Sequence, residues 1–222
     1  PFRPRELVSR IRSVLRRYGK EKTLVPLGGV MVDTEKGRVT RDGRDVYLSA
    51  LEYRLLLVFL SHRGKVLSRS QLLEEIWDAG FVVVVAAGNM GPGSGTITTP
   101  GISRKVITVG CSDDDKEVNV MGNRMSDYSG RGPTRSCICK PDIVAPGAAI
   151  TSCSNQPGGY AVKSGTSMAT PYVSGAIALL LEQHPEMSNR DVKLFLRERA
   201  VDLGLPRNQQ GWGLLDIPSL LK

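Results

Sequence analysis

The spacing of apolar residues changes along the chain and predicts two unlike regions. Up to about residue 78, short amphipathic segments and short alternating stretches follow one another, which is the pattern of surface helices and half-buried strands. Beyond that point come a continuous apolar run at residues 81–87, loops rich in Gly, Pro and Ser, and long apolar helical segments. A continuous run of this length is typical of a central strand in a parallel sheet covered on both faces.

The first region is predicted to begin with a basic helix and to continue with three short strands. Residues 4–17 place apolar side chains at helical spacing with arginines opposite, which suits a helix at a membrane surface or one packed on a partner. Strands are predicted at residues 30–32, 38–40 and 46–48, where charged turns separate short apolar stretches.

Serine-based start signals predict three helices. Ser49 and Ser68 are each followed three residues later by Glu or Gln. In such a capping box, the hydroxyl and the later side chain each bond a backbone amide that the first helical turn leaves unpaired. Ser188 begins a third start signal, ahead of a short basic amphipathic stretch.

Composition narrows the classes of function. The 222-residue chain has a net charge of +8, with 30 Lys and Arg against 22 Asp and Glu, and most of the excess lies before residue 79. Such an excess suits a polyanion partner, although it is also typical of a solvated surface. Neither a membrane-spanning run nor an apolar signal segment is visible, so we expect a cytoplasmic protein with no membrane contact.

The four cysteines do not predict a metal site. Cys137 and Cys139 form a Cys-x-Cys pair, and no histidine is close to either in sequence. Zinc sites usually use Cys-x-x-Cys spacing with a second pair of ligands. We expect free thiols in a reducing compartment, and neither a metal nor a cofactor.

Residues 24–78 resemble the DNA-binding domain of OmpR/PhoB-type response regulators. The motifs are L-S-A-L-E-Y-R-L-L at residues 48–56, G-K-V-L-S-R at 64–69 and Q-L-L-E-E-I-W at 71–77. The resemblance implies the N-terminal sheet and the first two helices of a winged helix, and residues 1–20 resemble the last helix of a receiver domain. The helix that would enter the major groove does not follow. We therefore expect only weak, non-specific DNA contact from the basic first third.

Residues 79–222 resemble the C-terminal part of a subtilisin-like serine protease. The motifs occur in the family's order: V-V-V-V-A-A-G-N at residues 82–89, D-Y-S-G-R-G-P-T at 127–134, K-P-D-I-V-A-P-G at 140–147, G-T-S-M-A-T-P at 165–171 and G-W-G-L-L-D at 211–216. The resemblance implies an incomplete parallel α/β domain, peptide-bond hydrolysis as the activity, and a peptide or protein as the substrate.

The same resemblance implies roles for single residues. Ser167 would be the nucleophile, and Asn89 would donate its amide to the oxyanion of the tetrahedral intermediate. Ala86, Ala87 and Gly88 would form a wall of the substrate pocket. Gly165 and Thr166 would also contact the substrate. The alternatives are an ordinary helix N-cap for Ser167 and a plain loop asparagine for Asn89.

The residues that would activate Ser167 do not occur in the sequence. The family's aspartate lies in an Asp-Ser/Thr-Gly pattern and its histidine in a His-Gly-Thr-His pattern. The nearest approach is D-T-E at residues 33–35, which we interpret as a turn. Of the two histidines, His62 lies in the response-regulator-like region, and His184 follows the helix that begins at Ser167. That helix is roughly 25 Å long, so neither histidine is expected to act as the base.

The sequence therefore predicts a chimera-like chain. Its parts are a receiver-type helix at residues 1–20, a partial winged helix at 24–78 and a partial subtilisin-like domain at 79–222. The predicted fold class is α/β, in which an incomplete parallel-sheet part follows a smaller, incomplete α+β part. The predicted function is a serine endopeptidase fragment that is inactive by itself. The alternatives are a DNA-binding regulator of a two-component system, and a site completed by a second chain that supplies the missing Asp and His.

Overall fold

Two separate cores organise the chain, one in the unit formed by residues 1–63 and one in the unit formed by residues 64–222. The computed structural model describes residues 24–113, 125–155 and 158–222, so the basic helix predicted at residues 4–17 lies outside the described part. Both units combine helices with strands, and the second contains a parallel sheet. The predicted α/β fold class is confirmed.

The described residues of the first unit form an antiparallel sheet followed by one helix. Its elements are β1 (Leu24–Leu27), β2 (Val30–Asp33), β3 (Arg38–Arg41), β4 (Arg44–Asp45) and α1 (Ala50–Ser61), with the strands in sequential order. Val32 and Val39 are paired across β2 and β3, and both are buried, as is Val58 of α1. This core is small, since Phe59 of the same helix is half exposed.

The helix start predicted at Ser49 is confirmed, whereas the strand predicted at residues 46–48 is wrong. The Ser49 hydroxyl accepts a hydrogen bond from the Glu52 amide at 3.3 Å, and the Glu52 carboxylate accepts one from the Ser49 amide at 2.8 Å. The fourth strand consists only of residues 44–45. Tyr47 is 93% exposed, because the chain leaves the sheet there to reach the N-cap of α1.

The second unit contains the parallel sheet and the remaining helices. Its elements are α2 (Arg69–Asp78), β5 (Val84–Ala86), β6 (Ile107–Ser112), β7 (Ile143–Pro146), β8 (Ile150–Cys153), β9 (Tyr160–Lys163), α3 (Thr166–Gln183), α4 (Asn189–Arg199), α5 (Arg207–Gln210) and α6 (Ile217–Leu220). The parallel sheet has the order β5-β6-β7, and β8 pairs with β9. α3 packs against all three parallel strands. The predicted starts at Ser68 and Ser188 are confirmed as capping boxes.

β5 does not take the central position that its composition predicts. The apolar run at residues 81–87 forms a strand only at Val84–Ala86, and these residues are half-buried. β6 is the central strand, and all six of its residues are buried. The predicted central position is wrong, because in the described part of the chain no strand pairs with the second edge of β5.

α2 belongs to the second unit, although its sequence resembles the second helix of a winged helix. Ile76 and Trp77 on this helix are buried. The Asn189 side chain donates to the backbone oxygens of Trp77 at 2.6 Å and of Phe81 at 3.2 Å. The structural division therefore falls before α2, near residue 63, whereas the family resemblance changes at residue 78. The domain ranges drawn from resemblance stay predictions.

Candidate active site

Asn89 and Ser167 come from distant parts of the sequence and are joined through Thr166. Asn89 follows the carboxyl end of β5, and Ser167 lies on the first turn of α3. The Asn89 side-chain oxygen accepts hydrogen bonds from the amide and from the hydroxyl of Thr166, both at 2.9 Å. Because Thr166 immediately precedes Ser167, these bonds hold the Asn89 carboxamide beside the serine.

Thr166 is buried and connects the loop after β5 to the start of α3. Its exposed fraction is 0%, and its hydroxyl also accepts a hydrogen bond from the Gly88 amide at 3.2 Å. This hydroxyl therefore ties the loop after β5 to the first turn of α3. The substrate contact predicted for Thr166 stays a prediction.

Gly165 allows the loop and the helix to approach closely. Its φ is +151°, a conformation that other residues rarely adopt. A Cβ atom at this position would lie 3.1 Å from Asn89 Nδ2. The Gly165 amide donates to the Gly147 oxygen at 2.9 Å, which fixes the chain just before the helix. Gly165 is also the N-cap of α3, so Ser167 is not, and a simple capping role does not explain the serine.

Two hydrogen-bond donors stand near the exposed Ser167 hydroxyl. Among the described residues, no acceptor binds Asn89 Nδ2 or the backbone amide of Ser167. Both Asn89 and Ser167 are exposed. The N-terminus of a helix favours negative charge, and preorganised donors of this kind stabilise an oxyanion. The arrangement is chemically suited to binding a carbonyl oxygen that becomes negative while the serine attacks.

The segment predicted to form a pocket wall lies directly before Asn89. Ala86 is half-buried and Ala87 is fully buried. The Ala87 amide donates to Val109 and its oxygen accepts from Thr98, both at 2.9 Å. Gly88 has a φ of +100°, and a Cβ there would lie 2.3 Å from the Thr98 hydroxyl. The segment is rigidly held, and its contact with substrate stays a prediction.

The two histidines of the chain lie away from Ser167 or in the other unit. His184 follows the last turn of α3, an 18-residue helix that is therefore about 25 Å long. Its Nδ1 atom is 3.5 Å from Glu186. His62 belongs to the first unit, where its Nδ1 atom lies 3.0 Å from the Val58 oxygen. No histidine of the second unit is therefore placed to take a proton from Ser167.

A buried ionic cluster that the sequence did not predict joins the amino-terminal ends of β6 and β7 to α4. Lys140 Nζ donates to Asp142 at 2.5 Å and to the Val106 oxygen at 2.9 Å, and the same carboxylate accepts from the Thr108 amide at 2.7 Å. Lys193 of α4 lies 3.6 Å from the other carboxylate oxygen. Burial lowers the pKa of Lys140 to about 8 and also lowers the pKa of Lys193. In the sequence, the only indication of the Lys140–Asp142 pair is the K-P-D motif at residues 140–142.

The described residues contain neither a cluster that could hold a metal ion nor a helix that could span a membrane. No group of three or more His, Cys, Asp or Glu side chains there is placed to hold a metal ion. None of the four cysteines forms a disulfide bond; Cys111 is buried and the other three are exposed. None of the helices in the described ranges combines the length and apolar character needed to cross a bilayer.

The fold and the site define an α/β protein with an exposed serine at a helix N-terminus and a carboxamide donor beside it. The chain belongs to the subtilase family, whose model matches residues 38–213. The serine protease AprX of Bacillus subtilis is 45% identical over 139 residues, covering 56% of this chain and 31% of AprX. Among solved structures, sphericase superposes with a TM-score of 0.54 at 29% identity, covering 68% of this chain and 53% of sphericase.

A different segment of the chain is similar to response regulators. The phosphate regulon regulatory protein PhoB of Pseudomonas aeruginosa is 41% identical over 85 residues, covering 37% of this chain and 37% of PhoB. The chimera-like description is therefore confirmed. The chain spans about a third of the length of these curated relatives, 31% of AprX and 37% of PhoB.

Proposed function

We propose that the second unit carries the nucleophile side of a serine endopeptidase site and that the 222-residue chain does not hydrolyse peptides by itself. The observation that carries this proposal is the double hydrogen bond between Asn89 and Thr166, which holds an amide donor beside the exposed Ser167. Ser167 Oγ would attack the scissile carbonyl carbon. Asn89 Nδ2 and the Ser167 amide would donate to the resulting oxyanion.

The proposed inactivity follows from the protonation of the serine. A neutral hydroxyl is a weak nucleophile unless a base within hydrogen-bond reach takes its proton, and a carboxylate normally orients that base. His184 is at the far end of α3, and the sequence offers no other histidine in the second unit. What remains is the contribution of binding and of the oxyanion donors, which in triad enzymes is roughly 10³–10⁴-fold over water.

A fluorophosphonate probe tests the proposal directly, because it reacts with an activated serine and forms a stable adduct. The purified chain is expected to show no more labelling than its Ser167→Ala variant, while an intact subtilase labelled in parallel serves as the positive control. Peptide mapping identifies the adduct. Rapid labelling of Ser167 in the chain alone would contradict the proposed inactivity.

A second candidate function is DNA binding, favoured by the 41% identity to PhoB over 85 residues. The basic first region and cysteines without disulfide bonds fit a cytoplasmic regulator of that kind. Phosphate contacts give an affinity that falls steeply with salt. A gel shift with duplex DNA at two salt concentrations separates the candidates, since binding without salt dependence, or no binding, would exclude this one.

A further inference from the structure

Two exposed cysteines lie two residues apart on a surface loop of the second unit, between β6 and β7. Cys137 and Cys139 are both exposed and neither forms a disulfide bond, while Ile138 between them is half-buried. This alternation is typical of extended chain, in which every second residue projects to the same side. We call Cys137 and Cys139 the dithiol pair. The candidate active site does not use it.

Hydrogen bonds close the loop that carries the dithiol pair. The Thr134 amide donates to the Ile138 oxygen at 2.9 Å, and the Thr134 hydroxyl accepts from the Ile138 amide at 3.1 Å. The Cys137 amide donates to the Thr134 oxygen at 2.9 Å. At the base of the loop the Gly132 amide donates to the Lys140 oxygen, also at 2.9 Å. The two cysteines are therefore presented on a closed turn.

The backbone at Cys137 does not account for a cysteine at that position. Its φ is +57°, in the left-handed region that glycine adopts freely and that other residues, apart from asparagine and aspartate, seldom adopt. A residue type that is unusual for its backbone conformation is a reason to seek a role for its side chain. For Cys137, the side chain offers a thiol.

The spacing brings the dithiol pair within reach of a disulfide bond. A chain advances at most about 3.6 Å per residue, so the Cα atoms of Cys137 and Cys139 are at most about 7 Å apart. Disulfide bonds usually join Cα atoms that are about 4.4–6.8 Å apart. A bond within the pair would draw the chain together around Ile138, next to its two hydrogen bonds with Thr134. Exposed or strained disulfides are readily reduced, so such a bond would be reversible.

The charge of the loop favours an anionic reactant. Arg135 is exposed on the same turn, two residues before Cys137. No acidic residue occurs from residue 128 to residue 141. Positive charge at a surface increases the local concentration and the encounter rate of anions. Oxidised glutathione is a small disulfide with a net negative charge, and it belongs to the class of reactants that this loop suits.

We propose that Cys137 and Cys139 form a reversible redox site that exchanges with small anionic disulfides such as oxidised glutathione. One cysteine thiolate attacks the reactant, which forms a mixed disulfide and releases one thiolate. The second cysteine thiolate attacks the cysteine sulfur of that mixed disulfide, closes the bond between Cys137 and Cys139 and releases the other thiolate. The pair loses two electrons and two protons, and the reactant gains them to become two thiols. This site is independent of the proposed peptidase function.

Equilibration in glutathione buffers tests the proposal. The full chain is incubated at several ratios of oxidised to reduced glutathione, quenched with acid, alkylated and mapped by mass spectrometry. We expect the bond between Cys137 and Cys139 to exceed the mixed disulfide at Cys153 by about tenfold or more, because an adjacent thiol reacts at a high effective concentration. Reduced dithiothreitol should restore both thiols. Mixed disulfides at Cys137 and Cys139 at the level seen at Cys153, without a bond between them, would overturn the proposal.

Two serine variants separate a dithiol pair from independent thiols. Cys139→Ser removes the second thiol, so the mixed disulfide of Cys137 with glutathione should accumulate about tenfold above its level in the parent chain. Cys153→Ser makes the same substitution at another exposed cysteine and should leave the bond between Cys137 and Cys139 unchanged. Circular dichroism establishes that both variants are folded. A main product that joins Cys153 to either member of the pair would contradict the assignment.

Arg135→Ala tests the class of reactant. Oxidation by oxidised glutathione should slow about threefold, since the exposed positive charge that attracts the anion is lost. Oxidation by hydroxyethyl disulfide, which is neutral, should proceed at the same rate in the variant and in the parent chain. Equal slowing with both reagents, or no slowing with either, would overturn the preference for an anionic disulfide.

Discussion

The Thr166 hydroxyl donates to the Asn89 side-chain oxygen at 2.9 Å, so the residue before the exposed serine sets the direction of the neighbouring carboxamide. With its oxygen occupied in this way, the carboxamide turns its NH₂ group away from Thr166. The same hydroxyl accepts from the Gly88 amide. One buried hydroxyl therefore orients the donor and joins the two loops that form the site.

Replacing Thr166 with valine is expected to destabilise the second unit by about 1–3 kcal/mol. Valine keeps the shape but removes the acceptor of the part-buried Gly88 amide and the hydroxyl bond to Asn89. Urea unfolding followed by tryptophan fluorescence measures the effect. Thr170→Val is the control, since the Thr170 hydroxyl bonds only the oxygen of Thr166 on the same helix. Equal losses in the two variants would contradict a special role for Thr166.

Replacing Asn189 with alanine is expected to loosen α2 from the second unit. The Asn189 amide bonds the backbone oxygens of Trp77 and Phe81, and the loss of each hydrogen bond costs about 0.5–1.5 kcal/mol. Hydrogen exchange should increase at residues 76–81. Asn208→Ala is the comparison, because its single side-chain bond to Gly132, at 3.2 Å, lies elsewhere. Unchanged exchange in Asn189→Ala would show that α2 is held by other contacts.

Truncation at two points tests where the structural unit begins. A fragment of residues 64–222 retains α2 and is expected to unfold cooperatively. A fragment of residues 79–222 removes the buried Ile76 and Trp77, and loss of such side chains from a core costs about 2–5 kcal/mol each. It should therefore unfold at lower urea or fail to fold. Equal midpoints for both fragments would place α2 outside the unit.

The pKa of Lys140 predicts that stability increases between about pH 8 and pH 10. Burial lowers that pKa to about 8 from 10.5 in the unfolded chain, so in this interval the unfolded state binds more protons. The free energy of unfolding then rises with pH, by about 2 kcal/mol for this group. The lowered pKa of Lys193 likewise makes the free energy of unfolding rise with pH. The pKa of Tyr128 is raised to about 12. This residue therefore makes the free energy of unfolding fall as the pH rises above about 10.

Urea unfolding at several pH values in that interval checks the lysine prediction. Lys140→Met removes the titrating group, and Lys193 remains to pair with Asp142, so this variant should show a flatter dependence than the parent chain. A parent chain that loses stability between about pH 8 and pH 10 would contradict the assignment.

Local signals predicted the helix starts, and they did so because caps depend on only a few adjacent residues. Ser49, Ser68 and Ser188 each form the capping box that the sequence indicates. The order of motifs singled out Asn89 and Ser167, whose catalytic roles stay predictions, and the structure adds that Thr166 joins them. The edge position of β5 could not be predicted, because an apolar run indicates a buried strand but does not show which other strands pair with it. The pairing of Lys140 with Asp142 and Lys193 depends on packing between α4 and two strands, which no local pattern records.

The bonds from Asn189 to Trp77 and Phe81 have a consequence for how chains of this kind can arise. One of the two oxygens, that of Trp77, lies in the last turn of α2, and the other lies just beyond the helix. Main-chain atoms are the same whichever sequence supplies the helix. A helix of foreign origin can therefore end at this point and satisfy the same donor, provided that its buried face is apolar. Such a helix would keep its bond to Asn189, so the change of resemblance at residue 78 need not coincide with the boundary between the two folded units near residue 63.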